Sequence, residues 1–291
     1  MPLFGPPNIE KLKRKRDIQG LVRALHHKDA DVRSRAADAL SGMGDARAVE
    51  PLFAALEDRE AEVRASAAAA LGKLKDSSAV DALAVLLYQD SIHLVQLSAA
   101  EALGNLGDAR AVPSLVMCLQ ARQRGYDLRC DLHATAGLRA AAASSLGQLG
   151  DRRALDPLST ALRKDDDMQV RTAAALSLGA LGDARAIDPL VSALKRQSFE
   201  RITQQQRDPM GRADIIVTLG RREVGEPVRV AAARALKELG DLPAAERAVD
   251  PLIAALSDKC EDLHQAAAEA LETIGGETAQ RALAAYRARQ K

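Results

Sequence analysis

Apolar residues recur along this chain in two short phrases, each with the spacing of one face of an α-helix. The second phrase of one such pair reads VRASAAAALGKL from Val63, with apolar positions at i, i+4, i+7, i+8 and i+11. That spacing places them along one stripe of a helix. The first phrase of the pair reads DARAVEPLFAAL from Asp45 and also has helical spacing. The pattern predicts pairs of amphipathic helices joined by short turns.

The pair of phrases is repeated along most of the chain. Close copies of the first phrase begin at Asp108, Asp151 and Asp183, and weaker copies begin at Asp76 and after Asp241. The starts at residues 45, 76 and 108 are 31 and 32 residues apart. One helical hairpin cannot bury its own apolar stripe, so hairpins of this period must stack to form a core. With a first unit over 17–44, the sequence predicts about seven hairpins in one array.

Each first phrase carries residues that begin and end helices. Its opening Asp is suited to N-cap a helix, because the carboxylate accepts hydrogen bonds from unpaired backbone N–H groups. A proline about six residues later is expected to kink the first helix or to mark where its regular part begins. These prolines are Pro51, Pro157, Pro189 and Pro251. Glycines at the C-cap of the preceding helix are Gly44, Gly107, Gly150, Gly182 and Gly240.

Composition narrows the class of protein. The chain has 291 residues, of which 2% are aromatic, and it has no Trp. Burial therefore depends on Leu, Val, Ile and Ala, which suits closely packed helices. The net charge of +1 lacks the basic excess of a typical nucleic-acid binder. The three cysteines are widely spaced, and the sequence shows no secretory signal and no apolar run long enough to span a membrane. We therefore expect a cytoplasmic protein without a membrane segment. We also expect it to be a monomer.

The recurring Gly-Asp-x-Arg-Ala, Pro-Leu and Val-Arg elements resemble the HEAT-repeat family, specifically short repeats similar to those of phycobilisome lyase subunits, over residues 17–275. This resemblance implies an all-α fold, a right-handed α–α superhelix or HEAT-repeat solenoid. The predicted organisation is an N-terminal cap over 1–16, the solenoid over 17–276 and a C-terminal capping helix over 277–291. Within the N-terminal cap, Asn8 is suited to begin a short basic helix over 9–16.

Two insertions interrupt the array. The two phrases of a unit start 18 residues apart at Asp45, but 30 and 45 residues apart at Asp108 and Asp183. The extra residues cover about 121–134 and about 196–224, between the two helices of a unit, so both insertions should project from the same edge. Long connections of this kind often carry function, and a tolerated surface loop is the alternative.

The second insertion is locally basic and is a candidate for gripping an acidic partner, with a solvated loop as the alternative. Its apolar residues Ile215, Ile216, Val217 and Leu219 are expected to pack against the stacked helices. The arginines of the insertion are Arg196, Arg201, Arg207, Arg212, Arg221 and Arg222.

A further candidate surface lies on the second helices, which line the concave face in HEAT solenoids. Opposite the core stripe fall the slots of Glu62, Ala65 and Ala69. Core slots repeat from unit to unit, whereas the Ala69 slot varies in size and sign. A surface shaped for one partner would vary in this way, and so would an unconstrained surface. The predicted partner-binding residues are Glu62 together with Asp38, Glu101, Ser144, Leu176, Arg234 and Glu269.

One slot of the second helices holds arginine in five units. A row of anion-binding sites is one interpretation of that slot. The resemblance favours a structural one, because in HEAT folds the equivalent arginine joins a ladder with loop carboxylates and backbone carbonyls. His264 occupies the slot in the last unit and is expected to make similar bonds. The five arginines are Arg33, Arg64, Arg139, Arg171 and Arg229.

The sequence carries no recognisable catalytic, cofactor-binding or metal-binding motif. Cys130 and His133 are close together in the first insertion, with Cys118 on the preceding helix, but a metal site needs three or four convergent ligands. The deoxyhypusine hydroxylases resemble this architecture and bind iron through His-Glu pairs, and this chain has no His-Glu dipeptide. We therefore expect no catalytic residues, no cofactor and no metal.

The leading hypothesis is a non-catalytic protein–protein interaction scaffold. It would bind a protein or peptide on its concave face and on the edge that carries the insertions. The resemblance leaves one enzymatic alternative, a bilin lyase-like subunit that handles a chromophore together with a partner subunit. A nucleic-acid-binding role through the basic insertion is a third hypothesis, which the balanced charge and the few aromatic residues disfavour.

Overall fold

The structure is a computed structural model that describes residues 7–121, 135–195, 199–206, 215–223 and 226–290. The chain divides into two compact units, Met1–Pro157 (unit 1) and Leu158–Lys291 (unit 2).

Unit 1 is a stack of helical hairpins. Its helices are α1 (Ile9–Arg14), α2 (Ile18–Ala24), α3 (Ala30–Ser41), α4 (Val49–Ala55), α5 (Ala61–Leu74), α6 (Val80–Gln89), α7 (His93–Leu106), α8 (Val112–Gln120) and α9 (Ala136–Leu149). The second helices pack in chain order, α3 on α5, α5 on α7 and α7 on α9, and each also packs on the first helix of its own hairpin. Leu52, Leu71 and Leu103 are fully buried between them. Asn8 caps α1 by accepting a hydrogen bond from the Lys11 N–H, which confirms the predicted short N-terminal helix.

Unit 2 repeats the arrangement. Helix α10 (Leu155–Lys164) crosses the boundary between the units and is followed by α11 (Met168–Ala180), α12 (Ile187–Lys195), α13 (Glu226–Glu238), α14 (Val249–Ala255), α15 (Glu261–Ile274) and α16 (Gly276–Gln290). Helix α13 packs between α11 and α15, and α12 and α14 pack as the first helices of their hairpins. The predicted all-α repeat fold is therefore confirmed.

The capping residues of the first phrase behave largely as predicted. The Asp45 side chain accepts a hydrogen bond from the Arg47 N–H at 2.9 Å and begins a 3₁₀ turn over Ala46–Ala48, which leads into α4. Pro51 is the third residue of α4, so the proline lies where the regular helix begins. The same turn precedes α6, α8, α10 and α12.

Most of the glycines that precede these turns adopt a left-handed backbone conformation, which is unfavourable for residues that carry a Cβ. Gly44, Gly107, Gly150 and Gly182 have φ between +65° and +73°. Lys75 holds the equivalent place with φ of +56°. Gly240 is an exception to the predicted set, because its φ is not positive. A Cβ at Gly240 would instead lie 2.8 Å from the Thr273 side chain, so this glycine serves close packing.

The second insertion adds an element that the sequence analysis did not predict. Strands β1 (Phe199–Gln206) and β2 (Ile215–Glu223) pair as a two-stranded antiparallel ribbon. The pairing begins at Phe199 opposite Glu223, with an irregularity between Ile202 and Thr203. The expectation that Ile215, Ile216, Val217 and Leu219 pack against the helices concerns side chains outside the described part of the structure. Most of the first insertion, residues 122–134, also lies outside the described residues.

Candidate protein-binding face

The arginine slot forms a buried edge of each unit, at the turns between the first and second helices. Arg33 donates two hydrogen bonds to the carboxylate of Asp58, at 2.7 and 2.8 Å. Its Nη1 donates to the backbone oxygens of His27 and Lys28, at 2.9 and 3.2 Å. One guanidinium thus joins the turn of its own hairpin to the turn of the next hairpin. The side chains of Arg33 and Asp58 are only 7% and 14% exposed.

Arg64 and Arg229 repeat this arrangement. Arg64 donates to the carboxylate of Asp90 at 2.6 and 3.1 Å and to the backbone oxygen of Asp58 at 2.7 Å. Arg229 donates to Asp258 at 2.6 Å and to the Leu194 oxygen at 3.0 Å.

Arg139 of the slot is also buried, and three further positions keep bonds to backbone oxygens. Arg171 donates to the oxygens of Asp165 and Asp166, at 2.8 and 2.9 Å. His264 pairs with the Asp258 oxygen, as predicted. In a second hairpin without an arginine in this slot, Gln96 donates a hydrogen bond to the backbone oxygen of Asp90 at 2.9 Å. The structural ladder is confirmed, and these buried, hydrogen-bonded guanidinium groups do not form a row of open anion sites.

The ladder changes the acidity of its carboxylates. The hydrogen bond from Arg33 holds the pKa of Asp58 below its ordinary value, against the opposing effect of partial burial. The same pair raises the pKa of Arg33. Asp58 also accepts a hydrogen bond from the Glu60 N–H at 2.9 Å, so its charged form both closes the turn and binds the neighbouring hairpin.

The opposite side of the same helices is largely open to solvent, but the Ala65 slot, which was expected to lie there, is buried at Ala65 and Val230. We call this side the second-helix face: the outward positions of α3, α5, α7 and α9 in unit 1 and of α11, α13 and α15 in unit 2. The predicted residues Asp38, Glu62, Glu101, Ser144, Leu176 and Arg234 are exposed on this face, and Glu269 is half-buried. Their role in binding a partner stays a prediction.

In unit 1 the second-helix face is acidic. The carboxylates of Asp38, Glu62 and Glu101 form no ion pair or hydrogen bond with any residue that the structure describes. Asp31, at the start of α3, lies 3.7 Å from Arg35 in an exposed pair. Because the carboxylates of Asp38, Glu62 and Glu101 are unpaired in the folded unit, they are available to a cationic partner.

In unit 2 the second-helix face contains an open cleft of about 290 Å³. Helix α13 supplies Glu226, Pro227, Val230, Ala231 and Arg234. Helix α11 supplies Thr172 and Leu176, and Cys260 and Asp262 lie at the start of α15. Leu176 is 45% exposed and so presents apolar surface in the cleft. We call this site the unit 2 cleft.

Close packing at one end of α11 and α13 keeps that end shut. A Cβ at Gly179 would lie 2.8 Å from the Cα of Ala235, so the two backbones are in direct contact there. The cleft lies nearer the opposite ends of these helices, around Thr172 and Pro227. The larger Val230 and Leu176 line the cleft rather than the close contact.

The charges of the unit 2 cleft are unpaired and separated. Glu226 and Asp262 lie in the first turns of α13 and α15, and Arg234 lies farther along α13. None of the three forms a hydrogen bond or ion pair within the described ranges. Glu269 of α15 forms an ion pair with Lys237 at 3.1 Å. The hydrogen bond from Lys237 is the main cause of the lowered pKa of Glu269.

Sequence reasoning named two of the residues that line this cleft, Leu176 and Arg234, and missed the others. The signal was present, since Asp262 and Pro227 occupy the Glu62 slot and Thr172 and Val230 occupy the Ala65 slot. Those slots also vary from unit to unit.

The basic insertion is described only in part. In the backbone register of the ribbon, Arg201 of β1 lies opposite Arg221 of β2, and Glu200 lies opposite Arg222. Arg196, Arg207 and Arg212 lie outside the described residues. The predicted role of these arginines in gripping a partner stays a prediction.

The cysteine and histidine residues of the described ranges do not assemble into a metal site. Burial raises the pKa of the Cys118 thiol to about 12, so this group remains protonated at neutral pH. No cluster of three or more His, Cys, Asp or Glu side chains suited to a metal ion occurs among the residues placed by the structure. Cys130 and His133 lie outside those residues. Within the same ranges, no helix has the length and apolar character needed to cross a bilayer.

Family models match most of the chain. A model described as HEAT repeats matches residues 49–129, 132–207 and 222–290. A second model, described as PBS lyase HEAT-like repeat, matches residues 32–58. No curated protein matches the chain in sequence.

Solved structures share the fold at low sequence identity. The complex of CpcE and CpcF of phycocyanin lyase from Nostoc sp. contains a chain that is 21% identical, with a TM-score of 0.51 over 99% of this chain and 97% of that one. The E. coli protein YibA is 18% identical, with a TM-score of 0.54 over 99% of both chains. Kap95p, in a structure with RanGDP, is 14% identical, with a TM-score of 0.60 over 97% of this chain and 40% of that one. At these identities the similarity concerns the fold alone.

Proposed function

Because this chain belongs to the HEAT-repeat family, we propose that it is a non-catalytic scaffold that binds a protein or peptide partner. The binding surface is the second-helix face, extended by the edge that carries the insertions. One observation carries the proposal: along the same helices, the arginine slot is buried and paired, whereas the variable slot exposes charges at Asp38, Glu101 and Arg234 that form no ion pair with the described residues. Unpaired charge on a rigid helix is available for a partner.

The nature of the surface favours a protein over other ligands. In unit 1 the face is acidic, which repels a polyanion such as nucleic acid. In unit 2 the face offers apolar side chains beside charges of both signs, a mixture typical of protein interfaces. Among solved structures that share the fold, both the phycocyanin lyase subunit and Kap95p are seen in complexes with proteins.

The test is a quantitative pull-down with matched surface variants. The triple variant Asp38→Arg, Glu101→Arg, Arg234→Glu reverses three charges of the second-helix face. The control variant Glu50→Arg, Glu57→Arg, Lys164→Glu makes the same changes at exposed positions outside that face. We expect a stoichiometric partner with the wild type and the control, and a loss of at least about tenfold with the face variant. Equal recovery by both variants would sink the face as the binding surface.

The bilin lyase-like alternative is supported by the match of residues 32–58 to a PBS lyase HEAT-like repeat. Incubation with a bilin and measurement of the visible absorbance separate it from the scaffold proposal. A shift of the absorbance band that requires the protein would favour chromophore handling. The nucleic-acid alternative requires binding that weakens steeply with added salt.

A further inference from the structure

The unit 2 cleft has the charge pattern of a binding site for a short peptide with two different ends. Two unpaired carboxylates, Glu226 and Asp262, lie at one end. The exposed guanidinium of Arg234 lies at the other end, where it forms no hydrogen bond or ion pair with the described residues but is close enough to Glu269 to help lower the pKa of that carboxyl. Leu176 provides exposed apolar surface between them, and Val230, which is mostly buried, also lines the cleft. A site with charges of opposite sign at its two ends is complementary to a ligand whose charges are reversed.

Helix geometry gives the distance between those ends. Glu226 and Arg234 are both on α13, eight positions apart. With a rise of about 1.5 Å per residue, their Cα atoms are separated by roughly 12 Å along the helix axis. Asp262 lies in the first turn of the neighbouring α15 and lines the same cleft as Glu226.

An extended peptide matches this distance in a defined way. Its residues rise about 3.3 Å each, and positions i, i+2 and i+4 share one face. Positions i and i+4 are therefore about 13 Å apart, close to the separation of the two ends of the cleft. A basic residue at one of these positions and a carboxylate at the other would reach the two charged ends, and an apolar residue at i+2 would meet Leu176 and Val230.

We infer that the unit 2 cleft recognises an extended segment of the partner in which a basic residue and an acidic residue stand four positions apart with an apolar residue midway. This inference rests on the proposed scaffold function and names the kind of segment that the scaffold holds. Polyanions are poor occupants, because they would meet Glu226 and Asp262 as well as Arg234. A volume of about 290 Å³ suits a few side chains rather than a folded domain.

The probes are four capped peptides added to the full-length protein. Lys-Ala-Leu-Ala-Glu and its reverse, Glu-Ala-Leu-Ala-Lys, carry the proposed pattern in the two chain directions. Lys-Ala-Leu-Ala-Lys and Glu-Ala-Leu-Ala-Glu are the like-charged controls. Binding is followed by the amide chemical shifts of Val230, Ala231 and Arg234 at peptide concentrations up to about 1 mM. We expect one of the two dipolar peptides to bind at least about tenfold tighter than either control.

Charge reversal in the protein makes the test specific to the cleft. Arg234→Glu should lose the dipolar peptide and gain affinity for Lys-Ala-Leu-Ala-Lys. The double variant Glu226→Lys, Asp262→Lys should instead prefer Glu-Ala-Leu-Ala-Glu. The control Lys164→Glu, an exposed cation outside the cleft, should bind as the wild type does.

Two results would overturn the inference. One is the absence of shifts at these amides with both dipolar peptides, and the other is equal binding of all four peptides. The scaffold proposal survives either result if the pull-down still distinguishes the face variant from its control. If that pull-down fails while a dipolar peptide binds, the cleft is a peptide site and the wider face is not the scaffold surface.

Discussion

Two arginines on one helix show the difference between the two sides of this protein. Arg229 and Arg234 are both on α13. Arg229 is 5% exposed and is hydrogen-bonded to Asp258 and to the Leu194 oxygen. Arg234 is exposed and forms no hydrogen bond or ion pair with the described residues, although its charge helps to lower the pKa of Glu269. The first occupies a slot that repeats along the chain and is buried by the fold, and the second occupies a slot that varies and is open to solvent.

Removing each arginine in turn is the strongest way to break this comparison. The carboxylate of Asp258 is mostly buried, and Arg229→Ala removes the cation that pairs with it. We expect the free energy of unfolding to fall by about 3–5 kcal/mol in urea denaturation followed by circular dichroism. Arg234→Ala should change it by less than about 0.5 kcal/mol. Similar losses in the two variants would contradict the division between a structural edge and a free face.

A second test concerns the close contact that shuts one end of α11 and α13. The Cβ of Gly179→Ala would meet the backbone of Ala235 at 2.8 Å, where no flexible side chain can yield. We expect a destabilisation of about 1–3 kcal/mol from overpacking, measured as a lower urea midpoint. Gly42→Ala is the matched control, since its Cβ would find only a carbonyl oxygen at 3.7 Å. If the two alanines cost the same, the contact does not determine the helix spacing.

The repeated edge should also respond to acid. The hydrogen bond from Arg33 lowers the pKa of Asp58 in the folded state, so the charged carboxylate stabilises the fold above its unfolded pKa. That stability is lost as the pH falls from about 4 through the lowered folded-state value. The variant Asp58→Asn should show a smaller loss of unfolding free energy over this window than the wild type. A slope unchanged by the variant would show that Asp58 does not contribute to acid sensitivity.

The smallest expected effect concerns Lys75. This residue has a φ of +56° in a slot where Gly44, Gly107, Gly150 and Gly182 also have positive φ. Lys75→Gly removes the strain of holding a residue with a Cβ in the left-handed backbone conformation, and we expect the free energy of unfolding to rise by about 0.5–1 kcal/mol. The reverse change, Gly107→Lys, should destabilise by a similar amount. A stabilisation of the reverse variant would contradict a backbone requirement at this slot.

The repeated features could be predicted from the sequence because each hairpin needs the same residue types at the same positions, so the requirement is visible several times along the chain. The caps at Asp45 and Gly44, the ladder at Arg33 and the partner of His264 all follow from such repetition. The ribbon of β1 and β2 occurs once, so no second copy could reveal it. The unit 2 cleft was found only in part, because its shape depends on how α11, α13 and α15 pack as well as on which residues they expose.

On the proposed function, the second-helix face binds a partner while the arginine edge supports the fold. The most direct test of this claim is the dissociation constant of the captured partner, measured by calorimetry for the wild type, Arg234→Glu and Lys164→Glu, with the unfolding free energy of each. We predict that Arg234→Glu binds at least about tenfold more weakly with unchanged stability, and that Lys164→Glu matches the wild type. Equal affinity in all three proteins would contradict the claim.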